Sequence, residues 1–134
     1  MMSDELWWSE VASRLFTIFK TRLQKQYSAK CTMNEKQIIE RDFPVVYFHE
    51  LEQVEMGNDL DNISVNAINE TIQIQVYAKN ADDCRNLTAE SVSQMKRLRF
   101  NIPAMPIYSQ SEDGRIFLSV FRARRVIGGG DNLV

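Results

Sequence analysis

At 134 residues the chain has the length of one domain, and its 44% of apolar residues is enough to bury a core. The net charge of −2 gives no global attraction to DNA or to an anionic membrane, and no apolar run is long enough to span a bilayer. The two cysteines, Cys31 and Cys84, lack metal-site spacing, and the acidic N-terminus differs from a basic signal peptide, which together favour a cytoplasmic product with reduced thiols.

The first element expected along the chain is an amphipathic helix over residues 3–27. Its apolar residues recur at helical spacing and form one stripe for the core: Trp8, Val11, Ala12, Leu15, Phe19 and Leu23. Trp7, Phe16 and Ile18 widen this stripe beyond what one small sheet needs to cover. Two interpretations follow: a thickly packed core helix, or a helix whose additional aromatic residues meet a neighbouring subunit.

Two strands and a polar arm are expected next. Residues 28–33 predict a short edge strand, and residues 43–50 predict a strand with apolar side chains on both faces. Pro44 lacks an N–H group, so it is expected at the start of that strand or on an edge. Residues 51–62 predict an acidic loop or hairpin arm, with Glu52, Glu55, Asp59 and Asp61.

The clearest strand pattern covers residues 63–78, where apolar and polar residues alternate. The alternation changes phase between residues 66 and 70, which predicts a bulge or bend within one long strand. A hairpin turning at residues 66–69 is the alternative, but that segment lacks the Asn-Gly or Asp-Gly pair that tight hairpins favour. The pattern predicts buried side chains for Ile72, Ile74 and Val76, and side chains pointing away from that core for Gln73 and Gln75.

A second helix and a hairpin complete the pattern. Asn80 is a residue type favoured at helix N-caps, and Asp83 follows three residues later as in a capping box. The helix is expected to run from residue 81 to about 99. An Asp-Gly turn at residues 111–114 then predicts a hairpin whose last strand covers residues 115–127.

This order of elements predicts an α+β fold, with a mixed or mainly antiparallel sheet and two helices packed on it. Residues 1–130 are expected to form a single domain. The triple glycine at residues 128–130 ends the fold, and residues 131–134 are expected to form a flexible tail.

Residues with catalytic chemistry are sparse. His49 is the only histidine, so a pair of histidine ligands is excluded, and no serine or cysteine partner is evident for it. A metal-dependent nuclease is the alternative from another functional class, with Mg²⁺ held by five acids whose spacing matches no known motif: Glu50, Glu52, Glu55, Asp59 and Asp61. We expect no enzymatic activity, no catalytic residue, no cofactor and no metal site.

A basic segment near the C-terminus contains Arg122, Arg124 and Arg125. Arginine suits both phosphate and carboxylate recognition. Because the chain is acidic overall and no aromatic residues interleave the arginines, carboxylate partners in a protein interface are favoured over DNA.

Two segments carry a resemblance to a known group of proteins. The first is Met-Gly-Asn-Asp-Leu-Asp-Asn at residues 56–62, followed by Asn-Ala at 66–67 and Gln-Ile-Gln-Val at 73–76. The second is Arg-Ala-Arg-Arg-Val-Ile-Gly-Gly-Gly-Asp at residues 122–131. With the chain length and the element order, these segments resemble the tail terminator (tail-completion) proteins of long-tailed bacteriophages and prophages.

The resemblance implies a virion structural protein that forms a ring, commonly a hexamer, at the head-proximal end of the tail tube. Such a ring ends tube polymerisation and presents a surface to the head connector or neck protein, while DNA passes through its lumen without sequence-specific binding. It also implies assembly in the host cytoplasm and no membrane partner. A head-completion or neck adaptor protein, also ring-forming, is the neighbouring alternative.

The charged segments predict how such subunits could meet. Asp59 and Asp61 of one subunit are expected to pair with Arg122, Arg124 or Arg125 of the next. Trp7 and Phe16 are the apolar interface candidates. The alternative is that the arginines solvate the end of a strand or pair within their own chain.

Overall fold

A computed structural model describes residues 4–57 and 64–134. The strands are β1 (Lys30–Thr32), β2 (Val45–Met56), β3 (Ala67–Ala78), β4 (Ile107–Gln110) and β5 (Phe117–Gly128). They form one sheet in the order β1-β2-β3-β5-β4, in which β1 pairs parallel with β2 and every other neighbouring pair is antiparallel. Two helices, α1 (Val11–Gln24) and α2 (Ala81–Arg97), contribute with the sheet to one hydrophobic core. The fold is therefore α+β with a mixed sheet, as the element order predicts.

The N-terminal helical region is divided. A 3₁₀ segment, Asp4–Glu10, precedes α1, and the non-helical backbone of Leu6 interrupts it. The predicted stripe of α1 is confirmed, because five of its residues are buried: Val11, Ala12, Leu15, Phe19 and Leu23. Trp8, in the 3₁₀ segment, is only half-buried.

Strand β2 is longer than the sequence predicts, because it continues to Met56 through residues expected to form a loop or arm. Its pairing with β3 shifts by one residue at Leu51, between Glu50 and Glu52. Strand β3 pairs with β5 without any irregularity. The prediction of a bulge or bend at residues 66–70 is therefore wrong, and the one irregularity in the pairing of β2 with β3 lies in β2.

The change of phase in the sequence has a simpler cause. Strand β3 begins at Ala67, so the preceding residues 64–66 are not part of the alternating strand. Within β3 the prediction is confirmed: Ile72, Ile74 and Val76 have no exposed surface and belong to the core beneath the helices. Gln73 and Gln75 point to the opposite side of the sheet, here called the open face.

Both ends of α2 are defined by local hydrogen bonds. The Asn80 side chain accepts from the Asp83 N–H, so the predicted cap is confirmed. At the other end Arg99 adopts a φ of 65°, and the Phe100 N–H donates to the Met95 carbonyl at 3.0 Å. This turn stops the helix two residues before the predicted end. No helix in residues 4–57 or 64–134 is long and apolar enough to cross a membrane.

The C-terminal segment, expected to form a flexible tail over residues 131–134, contacts the domain at Asn132 and Leu133. Leu133 is only 4% exposed and joins the core. The Arg125 guanidinium donates to the Leu133 and Asn132 carbonyls, in both cases at 2.9 Å. These hydrogen bonds satisfy two backbone carbonyls of the segment, and its flexibility stays a prediction.

Candidate assembly surface

The open face is the side of the sheet opposite to α1 and α2, and its side chains come from alternate positions of β2, β3 and β5. Cross-strand pairing places them in rows: His49 is opposite Gln73 and Arg122, and Glu52 is opposite Thr71 and Arg124. The next row contains Val54, Asn69 and Val126.

The three predicted interface arginines separate onto two faces. Arg122 and Arg124 are exposed on the open face, whereas Arg125 points to the helix side and is only 8% exposed. Arg125 donates to the carbonyls of Leu98, Asn132 and Leu133, and burial lowers the pKa of its guanidinium from the usual value. It therefore serves its own fold, and the alternation of strand residues is the signal that separates it from the other two.

A hydrogen-bonded chain of side chains crosses the middle of the open face. Arg122 Nε donates to Gln73 Oε1 at 3.1 Å, Gln73 Nε2 donates to Gln75 Oε1 at 3.1 Å, and Gln75 Nε2 donates to the Tyr77 hydroxyl at 2.7 Å. The chain fixes the direction of Arg122 along the surface.

Opposite charges lie on opposite sides of this face. Glu52 stands on β2 and Arg124 on β5, two strands apart, which separates their backbones by about 10 Å. Among the described residues, neither of them forms an ion pair, and Arg122 contacts only a neutral amide. The surface therefore has an acidic side and a basic side, each with charge available for a partner.

Apolar side chains accompany both charges. Val54 is 47% exposed and Val126 is 54% exposed, one on either side of Asn69. Beyond β5, a groove of about 380 Å³ lies between β5 and residues 103–107. Its wall combines apolar and cationic groups, including Met105, Ile107, Val120, Arg122 and Arg124.

The two aromatic interface candidates are half-buried against their own chain. Trp7 Nε1 donates to the Val65 carbonyl at 3.0 Å. The Phe16 ring meets the edge of Phe48 at a centroid distance of 5.5 Å, and Lys20 Nζ lies 5.9 Å from its centre. These contacts favour the first interpretation of the widened stripe, a thickly packed helix region.

The acidic arm is only partly described. Asp59 and Asp61 lie outside the described residues. Within the described part, the bulge at Leu51 places Glu50 on the helix side and Glu52 on the open face, so these two acids do not converge. The described residues contain no group of three or more histidine, cysteine or acidic side chains that could hold a metal ion.

Sequence reasoning missed the residues that complete this surface: Glu52 as its acidic side, and Met105 and Ile107 as the groove wall. A signal for Ile107 was present in the sequence, since it lies shortly before the Asp-Gly turn, where the first strand of the hairpin is expected; the structure pairs it with Val120. No signal was present for Glu52, because its face depends on the bulge.

Comparison of the chain with protein-family models finds no matching family, and comparison with curated proteins finds no matching sequence.

Proposed function

We propose that this chain is a non-catalytic structural protein of a long-tailed bacteriophage or prophage, which forms a ring at the head-proximal end of the tail tube. The ring ends tube polymerisation and offers a surface to the head connector, and DNA passes through its lumen. The resemblance of residues 56–76 and 122–131 to tail terminator proteins motivates the proposal.

One observation carries it: the open face is acidic on the β2 side and basic on the β5 side. Glu52 and Arg124 have no ionic partner among the described residues, and exposed Val54 and Val126 lie beside them. Copies that place the acidic side of one against the basic side of the next make a heterologous contact, and such contacts close into rings when the rotation allows. In the sequence, Asp59 and Asp61 follow β2 and add negative charge to that segment.

Two measurements test the proposal: the mass of the assembly that the protein forms in solution, and the binding of the protein to purified tails or heads. Native mass spectrometry over rising protein concentration, followed by electron microscopy, measures whether a ring forms. The protein is then mixed with purified tails lacking a terminator, and separately with purified heads, and each mixture is sedimented. Binding to tail ends with arrest of tube growth supports a terminator, whereas binding to heads alone supports the head-completion adaptor. A chain that remains monomeric and binds neither particle overturns the proposal.

A further inference from the structure

The groove beside β5 has a distinctive composition for a surface feature. Met105 is 76% exposed and Ile107 is 73% exposed, and both line the groove together with Arg122 and Arg124. Pro103 and Pro106 restrict the backbone of the loop that forms one wall. A groove that is stiff, apolar and cationic fits an extended segment carrying both apolar and acidic side chains.

The chain itself contains such a segment. From Glu52 to Met56, β2 presents Glu52, Val54 and Met56 on one face, with Val54 47% exposed and Met56 39% exposed. Strand β1 pairs only with residues 45–47 of β2, so within residues 4–57 and 64–134 no strand lies on the outer edge of this end of β2. This end of β2 is therefore an exposed sheet edge that carries acidic and apolar side chains.

The two features cannot meet within one molecule. The strand order places β3 and β5 between β2 and β4, so three strand spacings, about 14 Å, separate β2 from the groove wall formed by Ile107. Strands that are paired in one sheet do not bend back over such a distance. A β2 end that fills the groove must therefore come from another molecule.

We propose that the groove receives the end of β2 from a second copy of this chain, with Glu52 of that copy meeting Arg124, and Val54 meeting Met105 and Ile107. The proposed contact is heterologous: the β2 end of one copy enters the groove of the next, whose own β2 end enters the groove of a third copy. This inference rests on the proposed ring and names the contact that builds it.

Engineered cysteines test the contact directly. The native Cys31 and Cys84 are 6% and 1% exposed, and burial raises the pKa of both thiols, so neither competes in a brief reaction with a short bismaleimide. A variant with both Val54→Cys and Met105→Cys should give a ladder of covalent species larger than dimers. Each single variant alone should give no cross-linked product. A mixture of the two single variants should give covalent dimers and nothing larger.

These patterns distinguish the geometries. A ladder that stops at dimers in the double variant would indicate a two-fold arrangement and overturn the head-to-tail contact. Strong cross-linking of the Val54→Cys variant alone would overturn it as well.

Charge reversal gives an independent measurement. Arg124→Glu should raise the concentration for half-assembly by about tenfold at low salt, since it replaces attraction by repulsion. Combining it with Glu52→Arg should recover most of that loss. Lys79→Glu, the same change at an exposed residue far from the groove, is the matched control and should have no effect.

The outcomes also separate this inference from the proposed function. One outcome is that native mass spectrometry shows rings while the double-cysteine variant gives no ladder and Arg124→Glu assembles normally. In that case the assignment of the groove is wrong and the proposed ring is retained. If the wild-type chain assembles neither alone nor on tails, both are wrong.

Discussion

The carboxyl groups of Glu50 and Glu70 are neighbours on the helix side of the sheet, and one oxygen atom of each is buried. Glu70 has no exposed surface, and Gln53 Nε2, which donates to the Trp8 carbonyl, lies 3.4 Å from its Oε1. Burial, followed by the hydrogen bond and the charge of Glu50, raises the pKa of Glu70 to about 9. The pair therefore holds a proton at neutral pH, beneath the 3₁₀ segment that precedes α1.

The first prediction concerns the pH dependence of stability. Because the folded-state pKa of Glu70 lies above its ordinary value of 4.5, the folded protein binds more protons than the unfolded chain between pH 4.5 and about 9. The stability from this site is fully present below pH 4.5 and is lost as the pH rises through 9. Glu70→Gln should remove this slope and raise the free energy of unfolding at pH 9 by about 1–3 kcal/mol.

Urea denaturation at a series of pH values measures the effect. Glu52→Gln, at an exposed acid of the neighbouring strand β2, is the control and should leave the slope unchanged. A wild-type stability that is flat between pH 5 and pH 9 would show that the pair is not protonated as described.

The second prediction concerns the core under β3. Ile74 is fully buried between β2 and β5, opposite Phe48 and Phe121. Ile74→Ala should lower the free energy of unfolding by about 2–5 kcal/mol, since it removes buried methyl groups and leaves a cavity. Val126→Ala, at a residue 54% exposed on the open face, should change it by less than about 0.5 kcal/mol. Equal effects of the two substitutions in denaturant melts would mean that the register is wrong.

The third prediction concerns the close approach of Gly129 to Trp7. A Cβ atom added at Gly129 would lie 3.1 Å from Trp7 Nε1, whereas one added at Gly130 would have no neighbour within 4 Å. Gly129→Ala should therefore destabilise the protein by about 1 kcal/mol and shift the tryptophan fluorescence, because the indole must move. Gly130→Ala is the matched control, and the idea fails if the two variants melt alike.

The fourth prediction concerns the attachment of the C-terminus. Arg125 supplies donors to three carbonyls, two of them in the C-terminal segment at Asn132 and Leu133. Arg125→Met should remove the donor to the Leu98 and Leu133 carbonyls and one of two donors to the Asn132 carbonyl, which also accepts from Arg99. It should lower the free energy of unfolding by about 1–3 kcal/mol and speed amide exchange in residues 132–134. Arg14→Met, on the exposed side of α1, should do neither. Unchanged exchange in the Arg125 variant would mean that the burial of Leu133 and the hydrogen bonds from Arg99 to Asn132 and Val134 are enough to hold the segment.

Several features of the fold were determined by the sequence itself. The cap at Asn80, the positive φ of 74° at Gly114 in the predicted hairpin turn, and the alternation from Ile72 to Val76 all depend on residues close together in the chain. Such signals act over a few residues, through hydrogen bonds to the nearest backbone groups and through the two-residue period of a strand. They are sufficient to predict the α+β class.

The surface that carries the proposed function was decided by the tertiary structure. One extra residue, Leu51, sends Glu50 to the helix side and Glu52 to the open face, and no local pattern reports this. Likewise, Arg124 and Arg125 are neighbours in the sequence, yet one is exposed and the other binds the C-terminal carbonyls. The physical reason is that register and burial arise from pairing between distant segments, whose contacts outweigh the local preferences of each residue.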